Sequence, residues 1–261
     1  MKPKSPPSIS PTTVERRTVL RWLGNATVLA IGGSTLSACF GRSLASSLSS
    51  DGVDAGWKPE LPAEIPVVPA LGFQPGSGEG DIFTHWKVNT VDTQNLADIL
   101  ASWTLAIDGL VTNPIVLGFA DVLALERQDQ VTDFHCVEGW SVYDVPWIGV
   151  PLSRLLDLAG ADASATYLTF HSFGELYRES LSMPVARETR SLLGYGIGGE
   201  TLPLGHGFPL RLVVPRLLGY KNAKCLSRIE VTDHPEIGYW ESYGYPYAGE
   251  VPASRLRPGK Y

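Results

Sequence analysis

The chain has 261 residues, of which 44% are hydrophobic and 18% charged, with 27 glycines and 20 prolines. The charged fraction lies below the roughly 25% of ordinary globular chains, which excludes a charged disordered protein, and the glycine and proline surplus argues against a helical bundle. Net charge is −6, but residues 1–38 hold five basic residues and one acidic one, so 39–261 carry sixteen basic and twenty-six acidic residues and no nucleic-acid partner is expected.

At the start of the chain, Arg16–Arg17 precede a moderately apolar run from Trp22 to Ala38 that is broken by Gly24, Asn25, Gly32 and Gly33. The run is too short and too polar to span a bilayer, which takes about 20 mostly apolar residues. It resembles a twin-arginine export signal, and Leu36-Ser37-Ala38-Cys39 resembles the lipobox of bacterial lipoproteins; ordinary cleavage beside an incidental cysteine is the alternative. The expectation is a signal over 1–38 and a lipid on Cys39 that holds the chain at the outer face of the cell membrane or in the periplasm. Twin-arginine export carries folded proteins, which raises the expectation of a cofactor. Gly, Ser and Pro fill 18 of the 41 residues from Phe40 to Gly80, so 39–80 reads as a tether and 81–261 as one folded domain.

Within that domain Trp103, Leu105 and Ile107 alternate with Thr104, Ala106 and Asp108, a half-buried strand that turns at Gly109. Phe119, Val122 and Leu123 suit a short helix after Asn113-Pro114. Val131–Cys136 predicts a strand that runs into the loop Glu138-Gly139-Trp140-Ser141. Pro151–Ala159 predicts a helix stopped by Gly160. Thr166–Phe170, Leu210–Val214 and Leu226–Val231 predict further strands, and Gly198-Gly199 predicts a hairpin tip within Leu192–Leu204. Tyr239–Tyr247, rich in aromatics, reads as a lid over the sheet. Short strands mixed with short helices, without regular βαβ alternation, give an α+β fold.

Several motifs fail on inspection. Gly139-Trp140-Ser141 opens like a nucleophile elbow, but Tyr143 stands where the second glycine belongs. Gly194, Gly196 and Gly199 fit G-x-G-x-x-G with Pro203 where a helix should run. The five histidines show no zinc spacing. Cys136 ends a strand at a glycine loop, where a thiolate can meet a soft transition metal; a buried inert cysteine is the plainer reading of the residue alone.

Its surroundings change that. Phe134-His135-Cys136-Val137-Glu138-Gly139-Trp140-Ser141 with Pro146-Trp147-Ile148-Gly149-Val150-Pro151-Leu152, and later Leu204-Gly205-His206-Gly207-Phe208-Pro209-Leu210-Arg211 with Gly219-Tyr220-Lys221-Asn222-Ala223-Lys224, resemble the sulfite-oxidase-fold family of molybdopterin enzymes, in its bacterial haem-free branch that includes the methionine sulfoxide reductase catalytic subunits. The resemblance covers roughly residues 81–250. It implies one molybdenum–molybdopterin per chain. By the resemblance Cys136 is the protein thiolate on the metal. His206 and Arg211 hold the pterin and its phosphate, and Asn222, Ala223 and Lys224 form the phosphate cradle. Ser172 supplies a hydroxyl near the cofactor, and Thr84 and His85 match the family's N-terminal contact, with plain structural roles as their alternative. Glu138 is either a proton relay, if burial raises its pKa, or an acceptor that steadies the loop.

Two departures bear on the substrate. The loop after Cys136 carries an acid and no arginine, which disfavours sulfite, and Tyr143-Asp144 adds a residue before Pro146 that is expected to reshape the pocket mouth. The expected activity is oxygen-atom transfer from a small or protein-bound S- or N-oxide, with electrons from a membrane or extracytoplasmic carrier, in a monomer. A sulfur-compound oxidase and a metal-free, surface-anchored binding domain are the alternatives.

Overall fold

The computed structural model describes residues 75–89 and 103–261. Arg16, Arg17, Cys39 and most of the 39–80 stretch lie outside the described residues. Residues 75–80 run along the domain, where the Gly76 amide donates to Leu202 O at 3.1 Å and Ser77 Oγ to Glu200 Oε2 at 3.3 Å. No described helix is long and apolar enough to cross a membrane.

Two five-stranded sheets and a few short helices make the α+β fold that the sequence led us to expect. In the first sheet β1 (Leu105–Gly109) pairs with β2 (Ile115–Leu117) and, in parallel, with β10 (Leu226–Thr232). Beyond β10 come β5 (Tyr167–Ser172) and β6 (Arg178–Ser182), both antiparallel. The second sheet is antiparallel throughout: β3 (Gln128–His135), β4 (Ser141–Pro151), β7 (Leu192–Ile197) and β8 (Glu200–Thr201), with β9 (Arg211–Val213) also on β7. The helices are α1 (Asp81–Thr84), α2 (Phe119–Ala124), α3 (Leu152–Ala159) and α4 (Met183–Ala186).

Local chemistry explains the elements that position the site. The β7–β8 turn is Gly198-Gly199, with φ of 64° and 96°, a left-handed pair that glycine alone adopts freely. In α3 Leu152, Leu155, Leu156 and Ala159 fall at i, i+3, i+4 and i+7 and are fully buried, so one helical face closes the core. Each leucine there contributes about 2 kcal/mol of burial. All six residues of β7 are buried, as are all three of β9, which pairs with it alongside β4 and β8.

The extra residue at Tyr143-Asp144 does not reshape the loop. It is a bulge within β4, where the register against β3 shifts between Thr132 and Phe134. Asp144 takes φ 56°, its amide bonded to Asp133 Oδ1 at 3.0 Å. The aromatic tail meets its expectation in part: Tyr239 stacks on Tyr177 with ring centroids at 5.6 Å, and its amide donates to Arg178 O of β6 at 3.0 Å. Trp240 and Tyr245 pack instead with Leu218, Tyr220 and Val251 in a second small core around the 3-10 turn Gly219–Lys221.

Candidate active site

Cys136 lies between His135, the last residue of β3, and the four-residue loop 137–140 that leads into β4. Its amide donates to Trp140 O at 2.9 Å, and its carbonyl accepts from Gly139 N at 3.1 Å. The side chain is buried and free of disulfide. Burial pushes the thiol pKa up, against the Glu138 and Val137 amides, which pull it down. Without a metal the group is therefore a thiol at neutral pH.

Glu138 is exposed, and its Oε2 accepts from Trp140 Nε1 at 2.8 Å. The burial on which a proton relay depended is absent. Of the two expectations for Glu138, the loop-steadying acceptor is the one the geometry supports.

The second half of the site forms around β9. Arg211 is 1% exposed, its guanidinium 5.3 Å from the ring centres of Phe134 and Trp147 and 5.9 Å from that of Trp86. Nη1 donates to His206 O at 2.8 Å and Nη2 approaches Asn222 O at 3.5 Å, while Nε is buried with no partner. Burial lowers its pKa to about 10, so it stays charged at neutral pH. His206 is buried under Phe83 and Trp86, with ring centroids at 4.9 and 4.8 Å. Burial first, then Arg211 and Lys224, lower its pKa to about 3, so its ring is neutral. Lys224 Nζ donates to Asn89 O at 2.7 Å and Gly205 O at 2.8 Å. Burial, with repulsion from Arg211, brings it down to about 7.

The structure thus brings His206, Arg211, Asn222, Ala223 and Lys224 together. Asn222 contributes through its backbone carbonyl. Its side chain is spent on the fold, accepting from Val214 N at 2.6 Å and donating to Leu217 O and Leu218 O. Ser172 Oγ donates to Lys224 O at 2.6 Å, so that hydroxyl fixes the cradle from β5. Thr84 and His85 are exposed at the end of α1, and it is their neighbours Phe83 and Trp86 that touch His206.

Sequence reasoning missed Arg255. It sits in the 3-10 turn Ala253–Arg255 and donates to Cys136 O at 3.1 Å, Trp140 O at 2.8 Å and Ser141 Oγ at 3.0 Å. The loop holds no cation of its own, as expected, but the C-terminal segment brings one to it. Nothing local in Ala253-Ser254-Arg255-Leu256-Arg257 signals this, because the contact spans 119 residues of sequence.

Known proteins resemble this chain in sequence. The family described as oxidoreductase molybdopterin binding domain matches residues 90–240. YuiH of Bacillus subtilis strain 168, named an uncharacterised oxidoreductase, is 38% identical over 58% of this chain and 76% of its own length. The protein-methionine-sulfoxide reductase catalytic subunit MsrP of Gluconobacter oxydans strain 621H is 37% identical over 58% of this chain, and the matched stretch is 54% of that protein. A solved chain of the sulfane dehydrogenase SoxCD from Paracoccus pantotrophus aligns at 27% identity with a TM-score of 0.48, covering 51% of this chain and 39% of that one. By the match over more than half of its length, this chain belongs to the oxidoreductase molybdopterin-binding domain family.

Proposed function

We propose that this chain is an exported, lipid-anchored molybdenum-cofactor oxidoreductase that removes oxygen from neutral S- or N-oxides. The observation that carries the cofactor is the pair Arg211 and Lys224. Arg211 is fully buried and Lys224 half-buried, and among the described residues both bond only to carbonyl oxygens. A buried cation without a counter-charge costs several kcal/mol, so the pair fits a bound phosphate better than it fits an empty fold.

The residues present match the group the family binds. Arg211 offers its unpartnered Nε, and Lys224 a second positive charge, to the phosphate end of the pterin. Ser172 holds the Lys224 carbonyl and keeps that segment in place. Neutral His206, flanked by Phe83 and Trp86, lines the pterin side, and Cys136 supplies a soft thiolate for the metal. One such group per chain is the stoichiometry this single cation pair supports. Bound there, the group supplies two-electron oxygen-atom transfer. The chain's own work is to hold the thiolate, exclude water with the Trp86–Phe134–Trp147 cage and present Trp140 to an apolar substrate body.

Three observations support the reducing direction. One relative carries the name protein-methionine-sulfoxide reductase, although the matched stretch spans only about half its length. The loop carries Glu138 and no arginine. Arg255 has both Nη groups bonded to the loop backbone and Ser141, so three of its five N–H donors are already engaged. The Arg16–Arg17 and Leu36–Cys39 patterns support export and anchoring, with electrons from a membrane or extracytoplasmic donor.

Molybdenum content of protein from a host that makes the cofactor tests the first half. Stopped-flow mixing of reduced protein with a neutral sulfoxide, and of oxidised protein with sulfite, tests the second. Stoichiometric metal with faster reoxidation by the sulfoxide is expected. Metal-free protein, or faster reduction by low concentrations of sulfite, overturns the proposal.

A further inference from the structure

We infer that Arg255 is a positioning residue that sets the orientation of Cys136 for the metal. The inference rests on the function proposed above and adds to the site a residue outside the family match, which ends at residue 240. The geometry is specific. The Cys136 amide is tied to Trp140 O and the Cys136 carbonyl to Gly139 N, and Arg255 then caps the carbonyls of both Cys136 and Trp140. With both peptide groups flanking its Cα fixed, the cysteine retains only its side-chain torsion. That is the restriction a metal ligand needs for a constant angle of approach.

The fold does not require this guanidinium. The C-terminal segment is pinned to the β3–β4 hairpin without it: Arg257 bonds Asp133 and, at 3.0 Å, Asp144; Lys260 bonds Asp144 at 2.6 Å; and Asp133 N donates to Lys260 O at 3.2 Å. Arg255 bonds only the ends of the cysteine loop and Ser141, whose hydroxyl in turn meets His135 Nδ1 at 2.8 Å. Val137, Glu138 and Gly139 are exposed, and the Glu138–Trp140 bond braces the middle of the loop from its solvent side.

The test uses Arg255→Ala and Arg255→Lys in the full chain, with Arg257→Gln as a control for the segment's attachment. In cofactor-free protein, hydrogen exchange at the Cys136 and Gly139 amides should rise at least about tenfold in Arg255→Ala, with the rest of the domain unchanged. In loaded protein kcat should fall at least about tenfold with KM held within about twofold, and the metal–thiolate absorption band should broaden, because the loop loses charge-assisted bonds that fix one ligand. Arg255→Lys should restore part of both effects, and Arg257→Gln should loosen the segment while leaving the loop amides protected. Unchanged exchange in the loop overturns the inference. So does a rise spread evenly over the domain, or local loosening with unaltered kcat. Wild-type protein that takes no molybdenum would sink the proposed function, and the inference would then stand or fall on the exchange result.

Discussion

Replacing Arg211 with methionine removes a buried cation while keeping bulk within the cage of Trp86, Phe134 and Trp147. Burial brings this guanidinium down to about 10. At 1.36 kcal/mol per tenfold, keeping it charged in the cofactor-free fold costs about 3 kcal/mol. The substitution also loses the Nη1 bond to His206 O, about 1.5–3 kcal/mol for a hydrogen bond to a charged group. The two effects nearly cancel, so the cofactor-free variant should unfold within about 1 kcal/mol of wild type, a shift in Tm below about 4 °C for a domain of this size. Cofactor retention should respond quite differently. A phosphate that loses the charge-assisted bond from Nε, about 1.5–3 kcal/mol, is held roughly ten- to a hundredfold more weakly. Urea unfolding of the cofactor-free proteins and the molybdenum-to-protein ratio after dialysis measure the two quantities separately. A loss of more than about 3 kcal/mol of stability with undiminished molybdenum would refute the reasoning, because Arg211 would then be a strut of the fold and not a clamp.

Cys136→Ser should keep the fold and the bound pterin while abolishing turnover and the metal–thiolate absorption band; full activity in that variant would remove Cys136 from the site. Glu179 is buried with Lys221 and Glu241, and burial pushes its pKa up to about 8. The folded state therefore holds a proton that the unfolded chain releases from pH 4.5 upward, and stability should decline as pH rises from there toward 8. Glu179→Gln imitates the protonated form, so its urea midpoint should stay level over that window; a parallel decline would show that another group is responsible. Cys39→Ser should move the protein from the membrane fraction to the soluble exported fraction, and Arg16→Lys with Arg17→Lys should stop export, both read by cell fractionation.

The legible parts of the fold were those with a clean period. The strand at Leu105–Gly109 alternates, the helix at Leu152–Ala159 repeats at i, i+3 and i+4, and Gly198-Gly199 can do little but turn. The strand Ser141–Pro151 escaped notice although it is the longest described, because its alternation is broken by the bulge at Tyr143-Asp144 and interrupted by Pro146. Arg211 was legible as a charge set inside an apolar strand. Asn222 was named as part of the phosphate cradle, but no motif says that its side chain braces the backbone while its carbonyl faces Arg211. Glu138 was the opposite case: its place beside Cys136 suggested chemistry, and only exposure distinguishes a relay from a bond to Trp140.

The placing of charge ties these observations together. Around the domain arginine meets acid: Arg127 with Asp129, Arg187 with Asp157, Arg216 with Glu188 and Glu250, Arg228 with Asp108 and Glu230, and Arg257 with Asp133 and Asp144. Lys221, though buried, has two carboxylates. Arg211, Lys224 and Arg255 differ, since among the described residues their bonds go only to carbonyl and hydroxyl oxygens. A chain with −10 on residues 39–261 has acids in excess, yet among the described residues none of these three cations bonds a carboxylate, and Glu138, the acid of the cysteine loop, bonds Trp140 instead. Burial first, and then repulsion from Arg211, bring Lys224 down to about 7, and an incoming dianion would raise it again. Arg255 directs its charge at the peptide dipoles that frame Cys136. The site is thus prepared for an anion beside Arg211 and Lys224 and holds Cys136 on a loop that Arg255 caps, while the Trp86, Phe134 and Trp147 rings around Arg211 add no charge of their own.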